Sequence, residues 1–357
     1  MHSLGGVVVD LGLVGLPRSG KSTLLSLLTG GAVPGRLAVA RVPDARLDAL
    51  AELYRPRRVT AATMQLTELP GLLPGRLDKG ERNAFFEGVR KTDALLHVVR
   101  AWDDHASPHP LGTLDPLRDA RDVEDELLLA DLERAEGLAT RLQRNRTRSR
   151  EEELQIAALQ RCAAGLGEAR PIRLLGLAAE ELELLGGFGL LTARGAIMAL
   201  NVSEEDLRAG RTFPDLQAWA AAAGIPVVVF SARVEAEIAA LPPEMRGEFL
   251  AAYDLHEPGT DRLARAAYAA LGLISFLTAG EDEVRAWPIP TGTVARRAAG
   301  KIHSDIERGF IRAEVAASEA LQMAGSWKAL REKGLLRVEG RDYVVRDGDV
   351  IEFRFNV

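Results

Sequence analysis

The sequence predicts an α/β protein built in several parts, and three observations carry that expectation. A β-branched run, Val7–Val14, passes through a glycine loop into an apolar helix. From Asp119 to about Gly167, apolar residues recur at helical spacing. The stretch Leu277–Val357 mixes helical segments with strands of period two.

Composition bounds the rest. A chain of 357 residues has room for several domains at about 100–200 residues each. Hydrophobic residues are 47% and charged residues 27%, which excludes a largely disordered chain. A net charge of −6 argues against nucleic-acid binding by the whole surface and leaves room for a local basic patch. The one cysteine, Cys162, excludes an internal disulfide or a multi-cysteine zinc site and fits a reducing, cytoplasmic setting. No apolar run is long enough for a membrane span, and Met1-His2-Ser3-Leu4-Gly5-Gly6 lacks the positive charge of a signal peptide, so neither membrane nor leader is expected. Lysine is scarce, six residues against 39 arginines, so each lysine is weighed for chemistry.

The first element is the loop. Gly15-Leu16-Pro17-Arg18-Ser19-Gly20-Lys21-Ser22 fits G-x-x-x-x-G-K-[ST], with a strand before it and Leu24, Leu25, Leu27 and Leu28 at helical positions after it. Glycines let successive N–H groups turn onto phosphates, and the helix N-terminus adds partial positive charge. Lys21 is expected at the β/γ-phosphates and the Ser22 hydroxyl on Mg²⁺, with Thr23 completing the loop. Without a ligand, the same pattern reads as a glycine turn between strand and helix.

Further loops are expected at the carboxyl ends of the other strands. Gly195–Leu200 reads as a strand leading to Asn201-Val202-Ser203-Glu204; Pro226–Phe230 leads to Ser231-Ala232-Arg233. In small GTPases these loops read N-K-x-D and S-A-K, and the Asp carboxylate holds guanine. Here Val202 and Glu204 replace Lys and Asp, which weakens the guanine fork and makes adenine plausible as the base. Ser203 also reads as a helix N-cap.

Between these loops lies the helical stretch. Leu127, Leu128, Leu132, Leu138 and Leu142 make one segment, and Leu154, Ile156, Leu159 and Cys162 a second. Arg141, Arg144, Arg146, Arg148 and Arg150 mark the turn, with no acid among them. That tip is a solvated hinge or a dock for RNA phosphates. No aromatic is interleaved, so base stacking is not expected there. In the C-terminal stretch, Val284–Ile289, Ile311–Val315 and Val350–Phe355 read as strands, with Asp347-Gly348-Asp349 as a turn. His303 beside Asp305 reads as a structural histidine rather than a metal ligand, and Trp287 and Phe310 as core or interface.

Together these stretches resemble the Obg-like ATPase (YchF) family of P-loop proteins. The match runs through Gly15–Thr23, Val42-Pro43-Asp44-Ala45-Arg46-Leu47-Asp48, Asn201–Glu204, Ser231–Glu237 and Glu283–Trp287. It continues in Ala298–Asp305, Glu307–Glu314, Glu339–Tyr343 and Asp347–Val350, and ends at Phe355-Asn356-Val357. The resemblance implies a Ras-like P-loop NTPase G domain, an α-helical coiled-coil insertion and a β-grasp TGS domain. The expected boundaries are 8–118 and 190–276 for the G domain, 119–189 for the insertion and 277–357 for the TGS domain. It also implies ATP preferred over GTP and the ribosome or its RNA as partner; a monomer, Mg²⁺ as the metal and slow hydrolysis are expected alongside. Lys21 and Glu68 are the expected catalytic residues, and Ser22 and Glu68 the expected Mg²⁺ ligands. Gly15, Pro17, Arg18, Ser19, Gly20, Lys21, Ser22, Thr23, Asn201, Val202, Glu204, Ser231, Ala232 and Arg233 are the expected nucleotide contacts.

The chain departs from the family in two places. Where members carry D-x-x-G, it reads Glu68-Leu69-Pro70-Gly71, a carboxylate displaced by about 1 Å, enough to slow chemistry markedly. Leu72 stands where Ras-like enzymes have the water-orienting Gln. The switch segment ahead of Val42 is shortened to Gly30–Arg41, with no Thr or Ser, and Thr29 is expected to end the preceding helix. The Lys79-Gly80-Glu81 stretch reads as a remnant of the second switch or as a loop entering a helix. A degenerate, non-hydrolysing scaffold and a GTP-specific GTPase are the competing functional readings.

Overall fold

A computed structural model of the chain describes residues 9–31, 37–76, 78–145 and 147–356. Val7 and Val8 of the run expected as the first strand, part of the shortened switch segment (32–36) and Arg146 of the basic stretch lie outside the described residues. The strands are β1 (Asp10–Val14), β2 (Leu37–Arg41), β3 (Arg58–Thr60), β4 (Thr63–Glu68), β5 (Ala94–Ala101), β6 (Gly195–Val202), β7 (Val227–Phe230), β8 (Leu273–Ala279), β9 (Glu283–Pro290), β10 (Phe310–Ala317), β11 (Arg337–Glu339) and β12 (Asp349–Phe355). They form two six-stranded sheets, ordered β2-β4-β1-β5-β6-β7 and β11-β10-β12-β8-β9-β3. The chain divides into two compact units, one of Asp10–Ala38 with Leu66–Ala270, the other of Met1–Val9 and Val39–Gln65 with Leu271–Val357.

In the first unit β5 is buried at every position, as a parallel strand covered on both faces must be. It pairs in parallel with β1 and β6, and β6 with β7. This arrangement points the carboxyl ends of β1, β5, β6 and β7 toward one crest, where open α/β sheets place their ligands. Helix α1 (Lys21–Leu28) begins at Gly20 and stops at Thr29, whose Oγ1 donates to the Leu25 carbonyl at 2.8 Å. Helix α3 (Lys79–Arg90), counted after α2 (Ala45–Tyr54) of the other unit, opens on an Asp78/Glu81 capping box. The Lys79 stretch therefore enters a helix directly.

Helices α4 (Pro116–Gln143) and α5 (Arg150–Gly167) form the hairpin. Asp115 caps α4 with Pro116 at its first position, and a Ser149/Glu152 capping box starts α5. Leu128, Ala135, Ala139, Ala158, Leu159, Cys162 and Leu166 share one core. Leu154 was expected in that stripe but is 50% exposed. It stands two residues from Ile156, about 200° around the helix. Arg141, Arg144, Arg148 and Arg150 are exposed at the turn.

In the second unit β8–β9 and β10–β12 are antiparallel pairs, and β12 meets β8 in parallel at Val350 and Leu277. Helix Ala295–Ile302 lays Ala295, Ala298 and Ala299 on Phe276, Ile289, Val315 and Phe353. This is the β-grasp arrangement. Strand β3 extends the sheet by pairing in parallel with β9, so the segment 39–65 joins the C-terminal module. Arg46 on α2 fixes the junction, reaching Asp44 at 2.8 Å and Asp347 at 2.8 Å. Trp287 stacks on Phe276, Phe310 packs on Phe353, and His303 Nδ1 accepts from the Asp305 amide as a helix cap. Among the described residues no helix is long and apolar enough to cross a membrane.

Candidate nucleotide-binding site

The loop between β1 and α1 is shaped by close approach. Gly15 has φ +143°, and a Cβ there would lie 2.4 Å from the Val98 carbonyl oxygen. Gly20 has φ +103°, and a Cβ would lie 2.6 Å from Asn201 Nδ2. Both positions need glycine for space and for backbone conformation. The Leu72 amide donates to the Gly15 carbonyl at 3.1 Å and closes the loop from below.

Lys21 is buried, and its ammonium donates to the carbonyls of Gly15 (3.1 Å) and Leu16 (2.8 Å). Burial lowers its pKa to about 8, partly opposed by the negative charge of Glu68. The amine is thus held against two loop carbonyls, in a site where low dielectric disfavours its lone charge and strengthens its attraction to an anion. Ser22 Oγ donates to Glu68 Oε1 at 2.5 Å. Hydroxyl and carboxylate are hard oxygen donors, and Mg²⁺ takes one or two such protein groups plus phosphate oxygens and water. The pair fits that ion; together with bound phosphates it would hold Mg²⁺, which when present shields phosphate charge. Among the described residues no cluster of three or more His, Cys, Asp or Glu makes a self-sufficient metal site.

Two clefts meet at this loop. One, of about 450 Å³, is lined by Pro17, Arg18, Lys21, Ser22, Glu68 and Gly71 among others. The other, of about 440 Å³, is lined by Asn201, Val202, Ser203, Glu204, Ser231, Ala232 and Arg233 among others. Gly20, Thr23 and Trp102 border both. The structure therefore brings Pro17, Arg18, Gly20, Lys21, Ser22 and Thr23 together with Asn201, Val202, Glu204, Ser231, Ala232 and Arg233 along two adjoining clefts, whereas Gly15 and Ser19 line neither.

Within the second cleft Asn201, Ser203 and Glu204 already hold hydrogen bonds to the chain. Asn201 Nδ2 donates to the Ser19 carbonyl at 3.2 Å, and its Oδ1 accepts from the Ala232 amide at 3.0 Å. Glu204 accepts from Tyr253 OH at 2.9 Å and from Arg208 at 3.2 Å, with Arg233 at 3.7 Å. Ser203 caps the helix Glu204–Arg208 by accepting from the Asp206 amide. Ser231 Oγ is buried with no hydrogen-bond partner among the described residues. Sequence reasoning missed Trp102, Asp103 and Asp104, which line this cleft, and Trp102 carries the Arg100 guanidinium 3.7 Å from its ring centre. They follow β5, at the carboxyl end of a central strand, and that position was the available signal. It also missed His97 within β5, buried beneath the loop.

Sheet, loop and paired clefts define a P-loop protein with a G-type nucleotide domain and a C-terminal β-grasp module. The profile described as "50S ribosome-binding GTPase" matches residues 10–130, and the YchF-type C-terminal profile, described as "Protein of unknown function (DUF933)", matches residues 273–356. The chain is 39% identical to a ribosome-binding ATPase YchF of Haemophilus influenzae, over 97% of this chain and 99% of that one. It is 37% identical to its Bacillus subtilis counterpart (98% and 100%) and 34% identical to Obg-like ATPase 1 of Oryza sativa (98% and 92%). The structure of the Schizosaccharomyces pombe YchF GTPase superposes with a TM-score of 0.87 at 29% identity, covering 99% of this chain and 100% of that one. A GTP binding protein of Pyrococcus horikoshii shares the fold (TM-score 0.60, 18% identity, 98% and 100% covered). The chain belongs to the YchF (Obg-like ATPase) family.

Proposed function

We propose that the protein is an Mg²⁺-dependent, ATP-preferring regulatory NTPase of slow turnover that associates with the ribosome. The observation that carries the reading is the convergence of Lys21, Ser22, Glu68 and the glycine-lined loop on one cleft that continues into Asn201–Glu204 and Ser231–Arg233. In this reading Lys21 and the loop amides neutralise phosphate charge, and Ser22 with Glu68 position the cation. Trp102 borders the join of the clefts, where its ring offers a face to sugar or base. Tyr253 and Arg208 both occupy Oε1 of Glu204, and Arg233 stands 3.7 Å from Oε2, so the carboxylate is held by neighbouring groups rather than pointed freely at a guanine edge. The ribosome enters from the names of the relatives and from the exposed arginines at the α4–α5 turn, which suit RNA phosphates.

A non-hydrolysing scaffold is the second reading. It is favoured by Leu72, buried with its amide committed to Gly15, which leaves no polar side chain at that position to orient water. Parallel titrations with ATP, GTP and non-hydrolysable analogues, followed by a single-turnover assay with and without ribosomes, test both. Tighter ATP binding with slow product formation supports the first reading; binding with no product supports the second; no nucleotide binding overturns both.

A further inference from the structure

Beneath the phosphate loop lies a small internal cavity, separate from the two clefts. It is lined by Ser19, His97, Arg100, His109 and Asp119 among others and measures about 10 Å³. Each of these side chains is more than nine-tenths buried. Three of their polar atoms, Ser19 Oγ, His97 Nε2 and Arg100 Nη1, have no hydrogen-bond partner among the described residues. The other two residues satisfy each other: His109 Nε2 bonds Asp119 Oδ2 at 2.8 Å, while its Nδ1 accepts from the Leu111 amide at 3.3 Å. Arg100 donates from Nε to the Trp102 carbonyl and from Nη2 to the Ser107 carbonyl, both at 2.8 Å.

Three orphaned polar atoms around one space of that size are costly unless something joins them. The space suits a single water and nothing larger. The donors and acceptors also match. Arg100 Nη1 can only donate. His97 is held neutral by burial and by the nearby charge of Lys21, its pKa pushed down to about 3, and in the tautomer that carries its proton on Nδ1 its Nε2 accepts. A Ser19 hydroxyl does either.

We propose that this cavity is a binding site for one ordered water, and that His97 is a positioning residue of the nucleotide site acting through it. The water accepts from Arg100 Nη1, donates to His97 Nε2 and exchanges a hydrogen bond with Ser19 Oγ. It fastens the middle of the phosphate loop to β5 from below, while Asn201 fastens the Ser19 carbonyl from above. The loop amides are then fixed before any phosphate arrives. The effect on affinity rests on the nucleotide reading above; the water itself does not.

Two measurements on the full-length protein test it. A crystal structure at about 1.5 Å resolution is expected to show one water within about 3.2 Å of all three atoms. An empty or collapsed cavity overturns the proposal, whether or not nucleotide binds. Calorimetric titration with ATP is expected to show Ser19→Ala and His97→Leu each weakening binding about tenfold, with the double variant little worse than either alone. His97→Gln, which keeps an acceptor, is expected to stay within about threefold of the parent. Equal losses in His97→Leu and His97→Gln, or fully additive losses in the double variant, overturn the positioning role. If the parent protein itself ignores ATP, the nucleotide reading fails and the crystallographic result alone decides the water.

Discussion

Glu68 accepts the Ser22 hydroxyl hydrogen at 2.5 Å, so the longer carboxylate that replaces the aspartate of D-x-x-G still reaches the residue expected to share its cation. The substitution preserves the pairing and changes its reach. Glu68→Gln keeps the shape and removes the charge. It is expected to weaken ATP binding about tenfold in the presence of Mg²⁺ and hardly at all in EDTA, as calorimetry in the two buffers would show. Equal losses in both buffers would refute the metal role.

Tyr253 and Arg208 both donate to Oε1 of Glu204. Replacing both, Tyr253→Phe with Arg208→Ala, frees the carboxylate to accept from guanine. The ratio of GTP to ATP affinity is expected to rise several-fold, read from parallel titrations. An unchanged ratio would mean that Glu204 takes no part in base choice.

The depressed pKa of Lys21, about 8, gives two pH trends of opposite sign. Binding a phosphate favours the ammonium, so ATP affinity is expected to be flat below pH 8 and to fall above it. Stability of the ligand-free protein should move the other way. Between about 8 and the ordinary lysine value of 10.5 the unfolded chain holds the proton more tightly than the folded one. The contribution of Lys21 to unfolding free energy therefore rises with pH across that window. Lys21→Met should remove the first trend and flatten the second, measured by titration and by denaturant unfolding from pH 7 to pH 10.

Much of this was legible because local chemistry and fold agree. The loop motif needed a strand before it and a helix after it, and Gly15 and Gly20 sit where only glycine fits. The α4–α5 hairpin followed from spacing, apart from Leu154, whose apolar character outran its angular position. Trp102 was not legible as a site residue because a lone aromatic after a buried strand reads as core until the sheet order is known. Nor did any local pattern pair Arg46 with Asp347, 301 residues apart, since that contact belongs to tertiary packing alone.

That contact has its own expected cost. Arg46 meets Asp44 and Asp347 in a fork, and its pKa is raised chiefly by the hydrogen bonds to Asp44. Arg46→Met should lower the stability of the C-terminal unit by about 2 kcal/mol. Hydrogen exchange should show it as faster opening of amides in β3, β8 and β12, with α4 and α5 unaffected.

The arginine tip is tested by salt. Replacing Arg144, Arg148 and Arg150 with Ala should flatten the dependence of ribosome binding on ionic strength by about one slope unit per lost phosphate contact. An unchanged slope would return the tip to a solvated turn.

Asn201 uses both ends of its amide on the chain itself, one on Ser19 and one on Ala232. The two halves of the crest are thereby tied through one side chain, an arrangement that reduces the ordering a ligand must impose on arrival. Encounter rates should then be fast and much alike for different nucleotides, and discrimination among them should appear in how quickly each departs.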